Sequence, residues 1–103
     1  MVHTVIAKFV AKPDQGPALA ALLREAATHY RKDKLTLDWY VLQDARDPLA
    51  FAAVERYADN KAALAEHASN PYFKTFGKAI GPLLAAKPAL QFLDELDVDK
   101  AKL

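Results

Sequence analysis

Apolar positions alternate with polar or opposing ones in four short runs and recur at three- and four-residue steps between them. Val5 to Val10 predicts a strand, with Val5, Ala7 and Phe9 on one face and Ile6, Lys8 and Val10 on the other. Pro13 and Asp14 stop it, and Gly16 and Pro17 open a helix, where proline suits the first turn. Leu19, Leu22, Leu23, Ala26, Ala27 and Tyr30 form one stripe of that helix. Arg24, Glu25, Arg31 and Lys32 turn to water. Leu37 to Asp44 and Leu49 to Tyr57 read as two strands joined by the polar turn Asp44–Pro48, hence an antiparallel hairpin.

Asp59 is a good cap for a helix beginning near Asn60, and Pro71 ends that helix and starts another at its N1 position. The second helix runs through Tyr72, Phe73, Phe76 and Ile80, and Gly81 and Pro82 weaken it. Ala89 to Val98 is the expected last strand, and the charged tail 99–103 is expected to fray. The order β–α–β–β–α–β is the ferredoxin-like, α+β arrangement, an antiparallel sheet with its helices on one face.

Both sheet faces carry apolar weight. Trp39 and Val41 oppose Tyr40 and Leu42, and Phe51 and Ala53 oppose Ala52 and Val54. Two helices cover one face only, so a second copy is expected on the other, giving a homodimer.

At 103 residues the chain is expected to form a single domain, 1–103, and 52% apolar with 26% charged residues is ordinary for a globular protein. A formal charge of +1 argues against nucleic acid or an anionic membrane as partner. The absence of cysteine excludes disulfides and thiolate chemistry. The N-terminus lacks the order of a signal peptide, and no apolar run reaches the about 20 residues of a membrane helix, so a cytoplasmic protein is expected.

Chemistry centres on the stretch from Glu55 to Phe76. Helical phase puts His67 with Leu64 and Ala68 on the apolar side, while Lys61, Ala65 and Glu66 turn away. An imidazole there is either a proton acceptor or a buried histidine bonded to a neighbour. Glu55 sits mid-strand among apolar residues and needs a partner such as Lys8, Arg56 of a neighbouring copy or a helix amide, with structural pairing favoured over catalysis. Trp39, Phe51, Tyr72, Phe73 and Phe76 are candidate walls for a flat ligand, and His29 could reach the rim. His3 is expected to be exposed. No His/Asp/Glu set has a metal-ligand spacing, and no glycine-rich phosphate loop or nucleophile motif is present.

The residues Val41 to Asp44 (VLQD), Asp47, Pro48, Phe51, Glu55, Tyr57, Asp59, Leu64, His67 and Ser69 to Phe73 resemble the antibiotic-biosynthesis-monooxygenase family of dimeric α/β-barrels. The resemblance implies a homodimer with a buried pocket in each subunit. It also implies oxidation of a quinol, phenol or anthrone by O2 without a cofactor. On that reading His67 is the catalytic base or anchor, and Trp39, Phe51, Tyr72, Phe73, Phe76 and His29 bind substrate. Haem-degrading members carry a histidine where this chain has Gly77, and an asparagine on the first strand that is lacking here. Two alternatives stay open: an isomerase of a phosphorylated quorum-sensing signal, which the region around Lys74 and His29 also resembles, and a non-catalytic ligand-binding or stress-response dimer.

Overall fold

The computed structural model describes residues 1–96. Its elements are β1 (His3–Val10), α1 (Gly16–Tyr30), β2 (Thr36–Gln43), β3 (Ala50–Tyr57), α2 (Asn60–Ser69), α3 (Tyr72–Ile80), a 3-10 turn (Gly81–Leu83) and β4 (Ala89–Asp94). The strands form one antiparallel sheet in the order β2-β3-β1-β4. This is the ferredoxin-like α+β fold that the order of elements predicts. None of the helices among the described residues is long and apolar enough to cross a membrane.

The hairpin turn is built without glycine. Asp44 Oδ2 accepts the N–H groups of Arg46 and Asp47 at 2.9 and 2.8 Å, and Asp47 Oδ1 accepts that of Leu49 at 2.9 Å. Side-chain acceptors thus replace the backbone partners that a tighter turn would supply. Gly16 gives α1 a close start against the hairpin turn: a Cβ there would lie a tight 3.3 Å from both the Pro48 carbonyl oxygen and Leu49 Cδ2. The close start of α1 lets Leu19, Leu23, Ala26, Ala27 and Tyr30 bury their stripe against Phe9, Trp39, Phe51 and Ala53. Full burial of Leu19 and Leu23 contributes about 1.5–3 kcal/mol each.

α2 is attached differently. Among its described side chains Ala63 alone is buried, and Ala68, expected to face inward, is exposed. The carboxylate of Glu66 instead accepts the backbone N–H groups of Lys34 and Leu35 at 2.9 and 3.1 Å. Asn70 Nδ2 adds a bond to Asp33 Oδ1 at 2.8 Å. The helix is therefore held to the segment between α1 and β2 mainly by polar contacts. Pro71 caps α3 rather than occupying its first turn.

Two boundaries differ from expectation. β1 starts at His3, which is buried and bonded through Nδ1 to Asp94 at 3.1 Å rather than exposed. β4 ends at Asp94, where Glu95 takes Arg56 through two bonds (2.7 and 2.9 Å) and Thr4 through a third at 2.6 Å. The expected strand residues beyond 96, and the tail 99–103, lie outside the described residues.

The second face of the sheet is open. Val10, Tyr40, Leu42 and Leu93 are 37–49% exposed on it, beside half-buried Ile6 and Val54.

Candidate active site

Between the helix-bearing face of the sheet and the helices lies a cavity of about 320 Å³. Its floor is Val5, Ala7 and Phe9 of β1, Trp39 of β2 and Glu55 of β3. Tyr30 closes it from the end of α1, and Leu64, His67, Phe73, Phe76, Gly77 and Ile80 cover it from α2 and α3. Pro88, Leu90 and Phe92 complete it from β4 and its approach. Leu90 and Phe92 pair with Ala7 and Val5, so they share the floor's face. They stay 56% and 58% exposed because no helix covers them, and with Phe73 at 44% they mark the open side. Gly77 borders it from α3, and a Cβ there would meet nothing within 4 Å.

The polar groups gather at the inner end. Tyr57 Oη donates to Glu55 Oε1 at 2.5 Å, both residues being buried. His67 Nε2 stands 4.0 Å from the same oxygen, beyond direct hydrogen-bond reach. Its ring lies 4.2 Å from that of Tyr30, 5.7 Å from Tyr57 and 5.5 Å from Phe73, measured between centroids. Tyr30 Oη, Trp39 Nε1 and His67 Nδ1 are buried without a hydrogen-bond partner among the described residues. Three such atoms around one cavity end call for a reason, because buried polar atoms are nearly always paired.

Burial sets the ionisation of this end. It lowers the His67 pKa from 6.5 to about 4, so the imidazole is neutral near pH 7. It raises that of Glu55, opposed by the Tyr57 hydroxyl. The Trp39 indole, directly across the β2–β3 ladder, pulls the same way as Tyr57 without closing a hydrogen bond of good geometry. Burial followed by neighbouring acidic groups pushes Tyr30 and Tyr57 well above the ordinary tyrosine range. Both shifts have one cause, burial of the charged form, and together they leave a neutral imidazole beside a carboxyl that is easier to protonate.

Four of the expected site residues, His67, Trp39, Phe73 and Phe76, line the cavity. Three do not. Phe51 is buried on the same sheet face but farther along β3, under α1. Tyr72 is buried in the core behind the wall, 5.5 Å from the Tyr30 ring and 6.0 Å from Phe76. His29 stacks on Tyr72 at 3.9 Å with 8° between planes and sits near Glu25, so it buttresses the wall from outside. Tyr30, read as part of the buried stripe of α1, is in the core and lines the cavity as well, and Glu55 has a partner other than those expected, Tyr57, two residues along the same strand face. The alternation Glu55–Tyr57 was the available signal.

Among the described residues, no three His, Asp or Glu side chains come together as a metal site would require. The cavity's lining among the described residues presents one imidazole and one carboxylate and no Lys or Arg.

The sequence matches the family model described as antibiotic biosynthesis monooxygenase over residues 2–79. It is 33% identical to Rv0793 of Mycobacterium tuberculosis over 93 residues, covering 90% of both proteins. The solved structure of Rv0793 superimposes with a TM-score of 0.85, at 31% identity over 95% of this chain and 98% of that one. PA3566 of Pseudomonas aeruginosa does so with a TM-score of 0.85, at 28% identity over 93% and 95%. A Nitrosomonas europaea structure at 19% identity shares the fold, with a TM-score of 0.86 over 92% and 99%. With its sheet, its covered cavity and its motif-bearing strand and helix thus accounted for, the chain belongs to the antibiotic biosynthesis monooxygenase family.

Proposed function

We propose that this protein is a monooxygenase that oxidises a small electron-rich aromatic, of quinol, phenol or anthrone type, with O2 and without a cofactor. The observation that carries the reading is the apolar, aromatic-walled cavity with its titratable groups confined to the inner end. At about 320 Å³ it falls at the low end of the ~300–1,000 Å³ of ligand pockets, a size for a small ring system. Trp39, Phe73 and Phe76 offer flat walls, and the inner end takes the substrate's hydroxyl.

The chemistry fits such walls. Loss of a proton leaves an electron-rich anion that passes an electron to O2 directly. One oxygen atom enters the substrate and the other leaves as water with two substrate hydrogens. The protein orients the ring, accepts the proton and keeps bulk water out, and His67 serves as base or anchor.

The same reading includes a homodimer joined through the open sheet face of Val10, Tyr40, Leu42 and Leu93. The alternative isomerase of a phosphorylated signal finds no cationic group among the described lining residues to hold a phosphate.

The test is oxygen uptake by chelator-treated protein across a panel of quinols and anthrones, with ¹⁸O2 to follow the inserted atom. Uptake with label in the product, lost in His67→Ala while the fold is kept, is the expected result. Tight binding with no turnover across the panel would instead support a ligand-binding protein.

A further inference from the structure

Two groups at the cavity's inner end could take the substrate's proton, His67 and Glu55, and the geometry distinguishes them. Glu55 Oε1 and His67 Nε2 are 4.0 Å apart. One oxygen atom can stand at about 2.8 Å from both, subtending an angle of about 90°, which suits a hydroxyl that donates to one and accepts from the other. We propose that a phenolic oxygen of the substrate occupies this bridging position, with Glu55 as the catalytic residue that takes its proton and His67 as the neutral donor that holds the oxygen. The proposal rests on reading the cavity as the site of a hydroxylated aromatic.

The proton bookkeeping favours the carboxylate. The substrate O–H bond breaks, its electron pair stays on oxygen, and the proton moves to Glu55. One negative charge is present before and after, shifted from carboxylate to phenolate. Transfer to His67 would instead create a cation and an anion from two neutral groups in an apolar cavity, where separated charge is costly. The tautomer that suits this role leaves no donor stranded. With its proton on Nε2, the imidazole donates to the substrate, and the unpartnered Nδ1 is a bare lone pair rather than a stranded N–H.

The surroundings of Glu55 keep it available. Tyr57 donates to it from its own strand, His67 faces it from α2, and Tyr30 is near from α1. Trp39 on β2 and Val5 on β1 are its uncharged ladder neighbours. No Lys or Arg among the described residues forms an ion pair with it. Burial draws the carboxylate towards the pKa of a phenol and the imidazole away from it.

The test uses 4-nitrophenol as probe and the fluorescence of Trp39, the sole tryptophan, as the reporter of occupancy. In the wild type, the complex retains one proton between probe and carboxylate, so affinity falls about tenfold per pH unit above the probe's own pKa. In Glu55→Gln the amide donates to the phenolate and the affinity stays flat; Glu55→Asp, which keeps the charge, retains the slope. His67→Gln also retains it, with weaker binding throughout. A slope that survives Glu55→Gln but vanishes in His67→Gln overturns the proposal, as does a flat wild-type profile or failure of the probe to bind. Oxygen uptake measured in parallel separates the two readings. A Glu55-dependent slope without uptake supports this assignment and removes only the oxygenase, whereas uptake with a flat profile removes this assignment alone.

Discussion

The imidazole of His67 rests on the ring of Tyr30, their centroids 4.2 Å apart and their planes inclined by 46°. This contact joins the last residue of α1 to α2 and shuts water away from one side of the histidine. Its energetic consequence can be read with pH.

Because the folded state lowers the His67 pKa from 6.5 to about 4, the unfolded chain binds the proton more readily between those values. The histidine's contribution is therefore complete above pH 6.5 and is lost as pH falls towards 4, at about 1.4 kcal/mol per unit. Glu55, with a raised pKa, works the other way, gaining stability as pH falls through its folded value towards 4.5. Comparing urea unfolding of wild type and His67→Gln isolates the histidine. The wild type's stability relative to the variant declines on acidification through this window; a constant difference contradicts the assignment.

Tyr57→Phe removes the donor that faces Glu55 Oε1 at 2.5 Å. Leaving a buried carboxylate short of one partner costs about 1–3 kcal/mol. Since that donation also holds the carboxylate's pKa down, the variant's Glu55 rises further. A raised acid costs stability above its folded pKa and not below 4.5, so the deficit is larger at pH 7 than near pH 4. Denaturant unfolding at the two pH values checks both size and sign.

Glu66→Ala releases the N–H groups of Lys34 and Leu35 from their shared carboxylate. The expected loss is about 1–3 kcal/mol, with faster hydrogen exchange at those two amides and through α2. The paired strands β1 and β3 should keep their protection. Uniform acceleration across the sheet would show that α2 is not separately anchored.

Leu42→Lys puts a charge on the open sheet face, on its edge strand β2, where Leu42 is 49% exposed. With the homodimer proposed above, sedimentation of the variant shows monomer at concentrations where the wild type is dimeric. Stability of the isolated subunit changes little, because the side chain already reaches solvent. Identical sedimentation of the two proteins would remove this face as the interface.

The fold was legible because its strands and helices repeat at different periods, and because Pro71 and the Asp44–Pro48 cluster punctuate them. The faces of β2 and β3 were also readable, since Trp39 and Glu55 fall inward by alternation alone. Position along a face was not. Phe51 and Glu55 share a side of β3, yet one lies under α1 and the other under the cavity, and only the placement of α1 decides this. Helical phase likewise identified His67 but misjudged α2, whose anchoring through Glu66 depends on a backbone segment about thirty residues away in sequence. His3 misled for a similar reason: its partner Asp94 sits at the opposite end of the chain.

The glycine at position 77 has a consequence beyond the room it leaves. It lies on α3, borders the cavity, and has space for a Cβ, which would meet nothing within 4 Å. Replacing it with alanine should favour the helix, since glycine is the weaker helix former by about 1 kcal/mol. Divergence in what the cavity admits can thus proceed by single substitutions at one site, with no accompanying repair of the core. Change of ligand range and maintenance of the fold are, at this position, separate evolutionary problems.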